Sequence, residues 1–362
     1  MRGAILHGSN DNYGASKVLL DEIRVLEALG HEITVIVPQT GPLEEMLLQA
    51  GLRAYVEVNS KLMVIRRVRF LDMLHRPKIS SNFLAYDFVV LWTLACALYI
   101  PFLRFAKIPF YISIHEILES RAEKLVFLSL LRIKGLRGTT CSKGVHNWIK
   151  SLGINTENFV TTYPIFQEIE ENFDSNAEIR NGFAVIGRVN GAKGHREACF
   201  AIQDPRLRNI SLNLYLIGDS FKGQENHFED IKSLAAFDQR IILLGYQKEI
   251  NFQELGISAN LSFPLKPEPF GLVPVEAALQ GVRTYGYGAG GSSEVLSLVN
   301  GVELRNSNNS IKDIADAMIY HLNSTEIYLA PKANIYATLS MENRMKQISS
   351  ILAEILRVYH AQ

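Results

Sequence analysis

Twice in this chain a short, β-branched apolar run stops at a polar, glycine-bearing loop and hands over to an amphipathic segment. Residues 3–7 (GAILH) lead into loop 8–15, an amphipathic stretch at 16–29 closed by Gly30, and a second β-branched run, ITVIV, within 32–37. Residues 182–187 (GFAVIG) restart the pattern, through a loop ending at Gly194 into a helical stretch at 195–203. A strand followed by a covering helix and another strand demands a crossover, and crossovers make parallel sheets. Two restarts in 362 residues fit two α/β domains, each with its own core. Residues 167–180 (QEIEENFDSNAEIR) are acidic, polar and weakly patterned, which suits a linker. The expected organisation is a first domain at 1–166, a linker at 167–180, a second domain at 181–335 and a C-terminal helical segment at 336–362.

The pattern fills in along the chain. A helix and a strand are expected within 41–58. Strands are expected at 88–91, 109–114, 138–141 and 159–163, with a covering helix at 93–105. The second half predicts a strand at 212–217, a helix at 226–236, a strand at 240–244 and a helix at 250–258. An apolar strand end at 261–265, a helix at 311–321 and an amphipathic helix at 341–358 complete it.

The composition narrows the function classes. Lys+Arg and Asp+Glu both number 37, so bulk charge does not favour a nucleic-acid partner. Cys96, Cys141 and Cys199 are odd in number, far apart and flanked by apolar residues, which gives neither a disulfide framework nor a zinc spacing. The first residues turn polar after position 6, unlike a secretory signal. The longest uncharged run, 88–103, is shorter than the ~18 apolar residues of a spanning helix. A cytoplasmic protein is the expectation. Residues 61–78 (KLMVIRRVRFLDMLHRPK) alternate basic and apolar side chains. Two readings fit that segment: a helix whose apolar side joins the core, and an amphipathic stretch resting on an anionic membrane surface.

The most informative stretch is 263–294, FPLKPEPFGLVPVEAALQGVRTYGYGAGGSSE. It reads strand end, turn, helix from about Leu272 to Gln280, then strand. Pro274 suits a first helical turn, where its missing N–H costs nothing, and Gly281 stops the helix. The free amides at Gly271, Leu272 and Val273 open that helix toward the strand tip, an arrangement that favours an anion such as phosphate. Glu268 on the turn and Glu276, expected in the first helical turn, flank this start. Upstream, Arg188 and Lys193 stand five apart on the glycine-bearing loop 187–194. A planar guanidinium and a compact ammonium can converge there on a diphosphate. His115 lies just past a strand end, where open parallel sheets bind ligands. Loop 8–15 does not match the dinucleotide G-x-G-x-x-G, which argues against a nicotinamide site.

Glu268 and Glu276, with seven residues between them inside EPFGLVPVEAALQG and followed by Gly290, Gly291 and Glu294, resemble the signature of the retaining glycosyltransferases of family 4. Gly187, Arg188, Lys193 and Gly194 resemble that family's G-R-x(n)-K-G motif. SIHE around His115 matches its strand-end histidine, Ser142-Lys143 its strand-then-Ser pattern, and Gly14-Ala15 stands where it has paired glycines. The resemblance implies a GT-B fold, two Rossmann-like domains facing each other across a cleft. It implies a retaining transferase that takes a UDP- or GDP-sugar. Glu276 would hold the ribose and Glu268 a hydroxyl of the donor sugar. Arg188 and Lys193 would take the diphosphate, and His115 the sugar. Gly271, Leu272 and Val273 would offer amides, Gly14 would lie near donor and acceptor, and Tyr246 near the base. The acceptor would be a glycan or lipid-linked sugar in bacterial surface polysaccharide assembly, at the inner face of the membrane. No Asp-x-Asp occurs, so no metal is expected and the two cations would neutralise the leaving group. Alternatives are a GT-B phosphorylase or epimerase, or a non-catalytic subunit that binds a nucleotide sugar.

Overall fold

A computed structural model of the chain describes residues 1–65, 83, 85–168, 181–220 and 223–360. It divides into two compact units, Met1–Gln167 with Thr338–Gln362, and Glu168–Ala337. The larger part of the basic segment 61–78, from residue 66 on, lies outside the described residues, as does the expected linker from residue 169. Among the described residues no helix is long and apolar enough to cross a membrane.

The first unit is built on seven strands, β1 (Arg2–His7), β2 (Glu32–Val37), β3 (Tyr55–Val58), β4 (Phe88–Trp92), β5 (Phe110–Ile114), β6 (Gly138–Thr140) and β7 (Phe159–Thr161). They lie parallel in the order β3-β2-β1-β4-β5-β6-β7. Phe88 to Trp92 and Phe110 to Ile114 are buried throughout, which explains why their sequences do not alternate. Helix α1 (Gly14–Ala28) crosses from β1 to β2 and buries Val18, Leu19, Ile23, Val25 and Leu26. Helix α2 (Leu43–Gln49) covers the next crossover.

The cover expected at 93–105 is two pieces rather than one helix. A 3₁₀ turn, Leu94–Tyr99, precedes helix α3 (Ile100–Phe105), with Pro101 in the latter's first turn. Thr93 takes φ 72 and ψ 162, a conformation that β-branched residues avoid, and this bend breaks the helical path at its start. Two further helices, α4 (Arg121–Leu131) and α5 (Lys143–Ser151), are capped by the hydroxyls of Ser120 and Ser142.

The second unit carries β8 (Gly182–Ile186), β9 (Asn213–Ile217), β10 (Ile241–Gly245), β11 (Ile257–Ser262), β12 (Arg283–Tyr287) and β13 (Val302–Leu304). These are parallel, in the order β10-β9-β8-β11-β12-β13. Helices α6 (His195–Ala201), α7 (Glu225–Phe237), α8 (Leu272–Leu279), α9 (Ser292–Leu298) and α10 (Ser310–Asn323) accompany them. Phe183, Leu214, Leu216, Ala259, Leu261, Phe263, Tyr285, Ile314 and Met318 share one core, which joins α6 and α10 to the sheet. The helix expected at 250–258 is absent. Gly256 sits at φ 68, and from Ile257 the chain pairs with both β8 and β12. Two ladders of backbone hydrogen bonds outweigh a weak local helical pattern. The same strand ends at Ser262, so residues 263–265 belong to the following loop.

After α11 (Lys332–Thr338) the chain rejoins the first unit, where Leu339 O accepts the amide of Phe166. Helix α12 (Met341–His360) is then anchored by Arg344, which is only 1% exposed. Its guanidinium donates to Glu22 of α1 at 2.8 and 3.2 Å and to the carbonyls of Tyr163 and Thr162. Tyr111 of β5 donates its hydroxyl to the other oxygen of Glu22. The ion pair has hydrogen-bond partners on every side, which is what a buried pair needs to remain in place.

Candidate functional site

Each sheet has one place where the strand order turns around, and there the loops beyond the carboxyl ends diverge and leave room for a ligand. In the second unit that place lies between β8 and β11. The loop leaving β8 carries Arg188 and Lys193. The loop leaving β11 carries Glu268 and runs into α8. The stretches singled out from the sequence are therefore the two loops at the reversal.

Glycines hold these loops together at close quarters. Gly194 takes φ 79, and a side chain there would come within 2.8 Å of the carbonyl of Phe263. Leu265 N donates to Ala192 O at 2.9 Å, which ties one loop to the other. A third loop closes in from β12. Glu268 N donates to Ala289 O, and Gly291 N donates to Glu268 O at 2.7 Å. A side chain at Gly291 would lie 2.2 Å from the carbonyl of Pro269, so the downstream Gly-Gly serves close backbone packing.

Within this frame Lys193 and Glu268 form an ion pair through Nζ and Oε1, their side chains 32% and 13% exposed. Ser292 donates its hydroxyl to the second oxygen of Glu268 at 3.4 Å. Gly271 caps α8 from the left-handed region, φ 102, and has no side chain of its own to accept from the helix amides. The Cβ that Gly271 lacks would lie 3.3 Å from Glu268 Oε2, so the carboxylate stands beside the helix start. Burial and the Arg188 guanidinium push the Lys193 ammonium down to about 8. Burial holds His195, two residues on, neutral, pushed down to about 3.

Glu276 lies one turn inside α8, which begins at Leu272, and not in its first turn. The helix starts where the sequence suggested, and four residues carry Glu276 past the amide end. Leu272 and Val273 occupy the opening positions of the helix and are half-buried. Tyr246, after β10, is 46% exposed, so its ring is no part of the core.

In the first unit the strand order reverses between β1 and β4. His115 follows β5, the next strand, and its ring packs on Trp92 at the end of β4, centroids 4.3 Å apart. Trp92 Nε1 donates to Ala15 O at 3.0 Å, beside Gly14 at the exposed start of α1. The structure thus brings the Gly14-Ala15 start of α1 and His115 to one strand-end cluster. His115 Nε2 meets Ser113 Oγ at 2.8 Å, and Thr139 Oγ1 donates to that oxygen at 2.7 Å. Burial pushes the His115 imidazole down to about 3, with Arg344 and His7 adding to the shift. It is a neutral hydrogen-bonding group at physiological pH.

Sequence reasoning did not assign Glu116. Its carboxylate accepts the amides of Leu94 and His115 at 3.1 Å, so it caps the 3₁₀ turn and holds the backbone at His115. Burial pushes it up to about 7. Ser292 was also missed. Its only sequence signal is its position directly after the Gly290-Gly291 pair.

No family model matches this sequence, and no curated protein matches it either. Solved structures match over nearly the whole chain. HepE from Anabaena, in complex with UDP and glucose, superposes with a TM-score of 0.78 at 19% identity, covering 98% of this chain and all of that one. A glycosyltransferase from Rickettsia africae gives 0.76 at 16% identity, covering 98% of each chain. Sucrose-phosphate synthase from Thermosynechococcus elongatus gives 0.71 at 14% identity, covering 99% of each chain. With two parallel α/β units of seven and six strands, the chain has the GT-B fold.

Proposed function

We propose that this protein is a retaining glycosyltransferase that moves a sugar from a nucleoside-diphosphate sugar to a glycan or lipid-linked acceptor. The observation that carries the reading is the meeting of two loops at the reversal of the second sheet. One brings Arg188 and Lys193, the other Glu268 and the amide end of α8. Two cations and a helix start are suited to a diphosphate. A carboxylate beside them is suited to sugar hydroxyls. The complexes of HepE with UDP-glucose and with UDP support uridine as the first base to test.

In this reading Glu276 binds the ribose and Glu268 a hydroxyl of the donor sugar. Arg188 and Lys193 stabilise charge that grows on the leaving diphosphate, with the amides of Gly271, Leu272 and Val273 facing phosphate or sugar. Such preorganised donors act mainly on the transition state. His115 contributes a neutral ring that hydrogen-bonds the sugar and takes no proton. Attack occurs on the face of the departing phosphate, which assists deprotonation of the acceptor. Glu268 then positions the sugar and is not a nucleophile. Tyr246 lies near the base and Gly14 near the acceptor. The cations replace a metal. The setting is the cytoplasmic face of the membrane in surface polysaccharide assembly, with residues 61–78 in peripheral contact with lipid.

The test is transfer of labelled sugar from a panel of UDP- and GDP-sugars to glycan and lipid-linked acceptors, with the anomeric configuration of the product determined. Lys193→Met and Glu276→Ala are each expected to lower transfer at least about a hundredfold, and EDTA to leave the wild-type rate unchanged. Full activity in both variants contradicts the reading. Release of a free sugar phosphate or an epimer in place of a glycoside assigns the site to a phosphorylase or an epimerase.

A further inference from the structure

The ammonium assigned to the diphosphate has an anion within the protein itself. Lys193 is paired with Glu268, and the second oxygen of that carboxylate stands beside the opening of α8. The Glu268 side chain therefore holds the two kinds of group that a diphosphate would use, a cation and a helix start. We propose that Glu268 is an internal competitor for the diphosphate subsite, drawn off Lys193 only when a sugar is attached to the nucleotide. This rests on the reading of the chain as a nucleotide-sugar transferase.

The argument is one of exchangeable partners. Glu268 is fixed through its backbone, by Ala289 O on one side and Gly291 N on the other, so its main chain stays in place. Its carboxylate is held by Lys193 and by the long contact with Ser292 at 3.4 Å. Lys193 is a flexible side chain that remains 32% exposed, free to turn toward an incoming phosphate. A nucleoside diphosphate without sugar offers phosphate to Lys193 but nothing to Glu268. It must then take the ammonium from the carboxylate and give that carboxylate no partner in exchange, a cost that binding has to cover. A nucleotide sugar offers both. Phosphate oxygens take Lys193 and sugar hydroxyls donate to Glu268, so every group has a partner. Transfer removes the sugar, the carboxylate returns to the ammonium, and the diphosphate loses part of its grip. One side chain then favours the donor over the product and hastens product release.

The pair Glu22–Arg344 in the first unit shows the alternative. There the carboxylate is held by Tyr111 as well, the guanidinium by two carbonyls, and both residues are out of solvent. That pair has no free side from which a ligand could enter.

The experiment is calorimetric titration of UDP and GDP into the wild type, Glu268→Gln, Lys193→Met and the double variant. Gln keeps the shape and loses the charge. Glu268→Gln is expected to bind the preferred nucleoside diphosphate about tenfold more tightly than wild type. In the Lys193→Met background the same substitution is expected to change affinity less than about twofold, because the effect runs through the pair. Glu303→Gln, which removes an exposed carboxylate bonded to Ser293 at the start of α9, is expected to change little. Equal or weaker binding by Glu268→Gln overturns the competitor role and leaves the transferase reading standing. A gain that persists without Lys193 also overturns it, since general repulsion would then explain the effect. Failure of the wild type to bind either nucleotide overturns the transferase reading and the competitor with it.

Discussion

Two carboxylate–cation pairs, one in each unit, are built from similar parts and put to opposite uses. Glu22 and Arg344 are separated by 322 positions in sequence and lie out of solvent, with Tyr111 and the carbonyls of Thr162 and Tyr163 adding hydrogen bonds to the pair. Lys193 and Glu268 lie at loop tips beyond a sheet, partly exposed, with fewer partners. The first pair is saturated and fixes a helix. The second is unsaturated and can exchange its partners for a ligand. The planar fork of arginine suits the first task, and the mobile ammonium of lysine suits the second.

This contrast can be broken most forcefully from the buried side. Arg344→Met leaves Glu22 charged and unpaired in the core, so a loss of about 3–5 kcal/mol in unfolding free energy is expected by urea titration. A loss under about 1 kcal/mol would mean that α12 is held by packing alone. The reverse pattern is expected at the loops. Lys193→Met should lower the transfer rate by about 10²–10³-fold, while its urea midpoint moves little, since the pair is partly solvated. A large stability loss there would erase the distinction between the pairs.

A smaller effect comes from pH. With Lys193 pushed down to about 8, its charge fades as pH rises through that value, and the protein loses one of the two cations proposed for the diphosphate. The quantity kcat/KM should therefore fall along an alkaline limb near 8. Lys193→Arg retains charge and should move that limb upward at some cost in rate. His115, neutral down to about 3, should produce no acidic limb between pH 5 and 7. The least effect is expected at Tyr246. Tyr246→Ala removes one exposed stacking surface and should raise KM by a few-fold, about 1 kcal/mol, with kcat kept.

The sequence displayed the loops of the second unit far better than the pairs that hold the molecule. Gly194, Gly271 and Gly291 are legible because only glycine tolerates their backbone or their crowding, and chemistry collects around them. Strands such as β1, β4 and β8 are legible because burial on both faces leaves unbroken apolar runs. Local pattern failed where long-range contacts decide. The stretch before β11 reads as helix, yet sheet pairing from Ile257 claims its end. Thr93 gives no warning of a left-handed bend. Ser120 and Glu123, by contrast, form the capping pattern S-x-x-E ahead of α4, a signal within reach of sequence reading. No local signal joins Glu22 to Arg344, because the packing of α12 on α1 brings them together. Glu116 hides for a related reason, its task being set by the amides it accepts.

The central claim is that a nucleoside diphosphate binds where the loops after β8 and β11 meet. A crystal structure with UDP or GDP bound tests it most directly. The account predicts phosphate oxygens within hydrogen-bond distance of Lys193 Nζ and of the amides that open α8, Arg188 turned toward them, and the Glu268 carboxylate no longer on Lys193. A nucleotide bound elsewhere, with the Lys193–Glu268 pair intact, would contradict it.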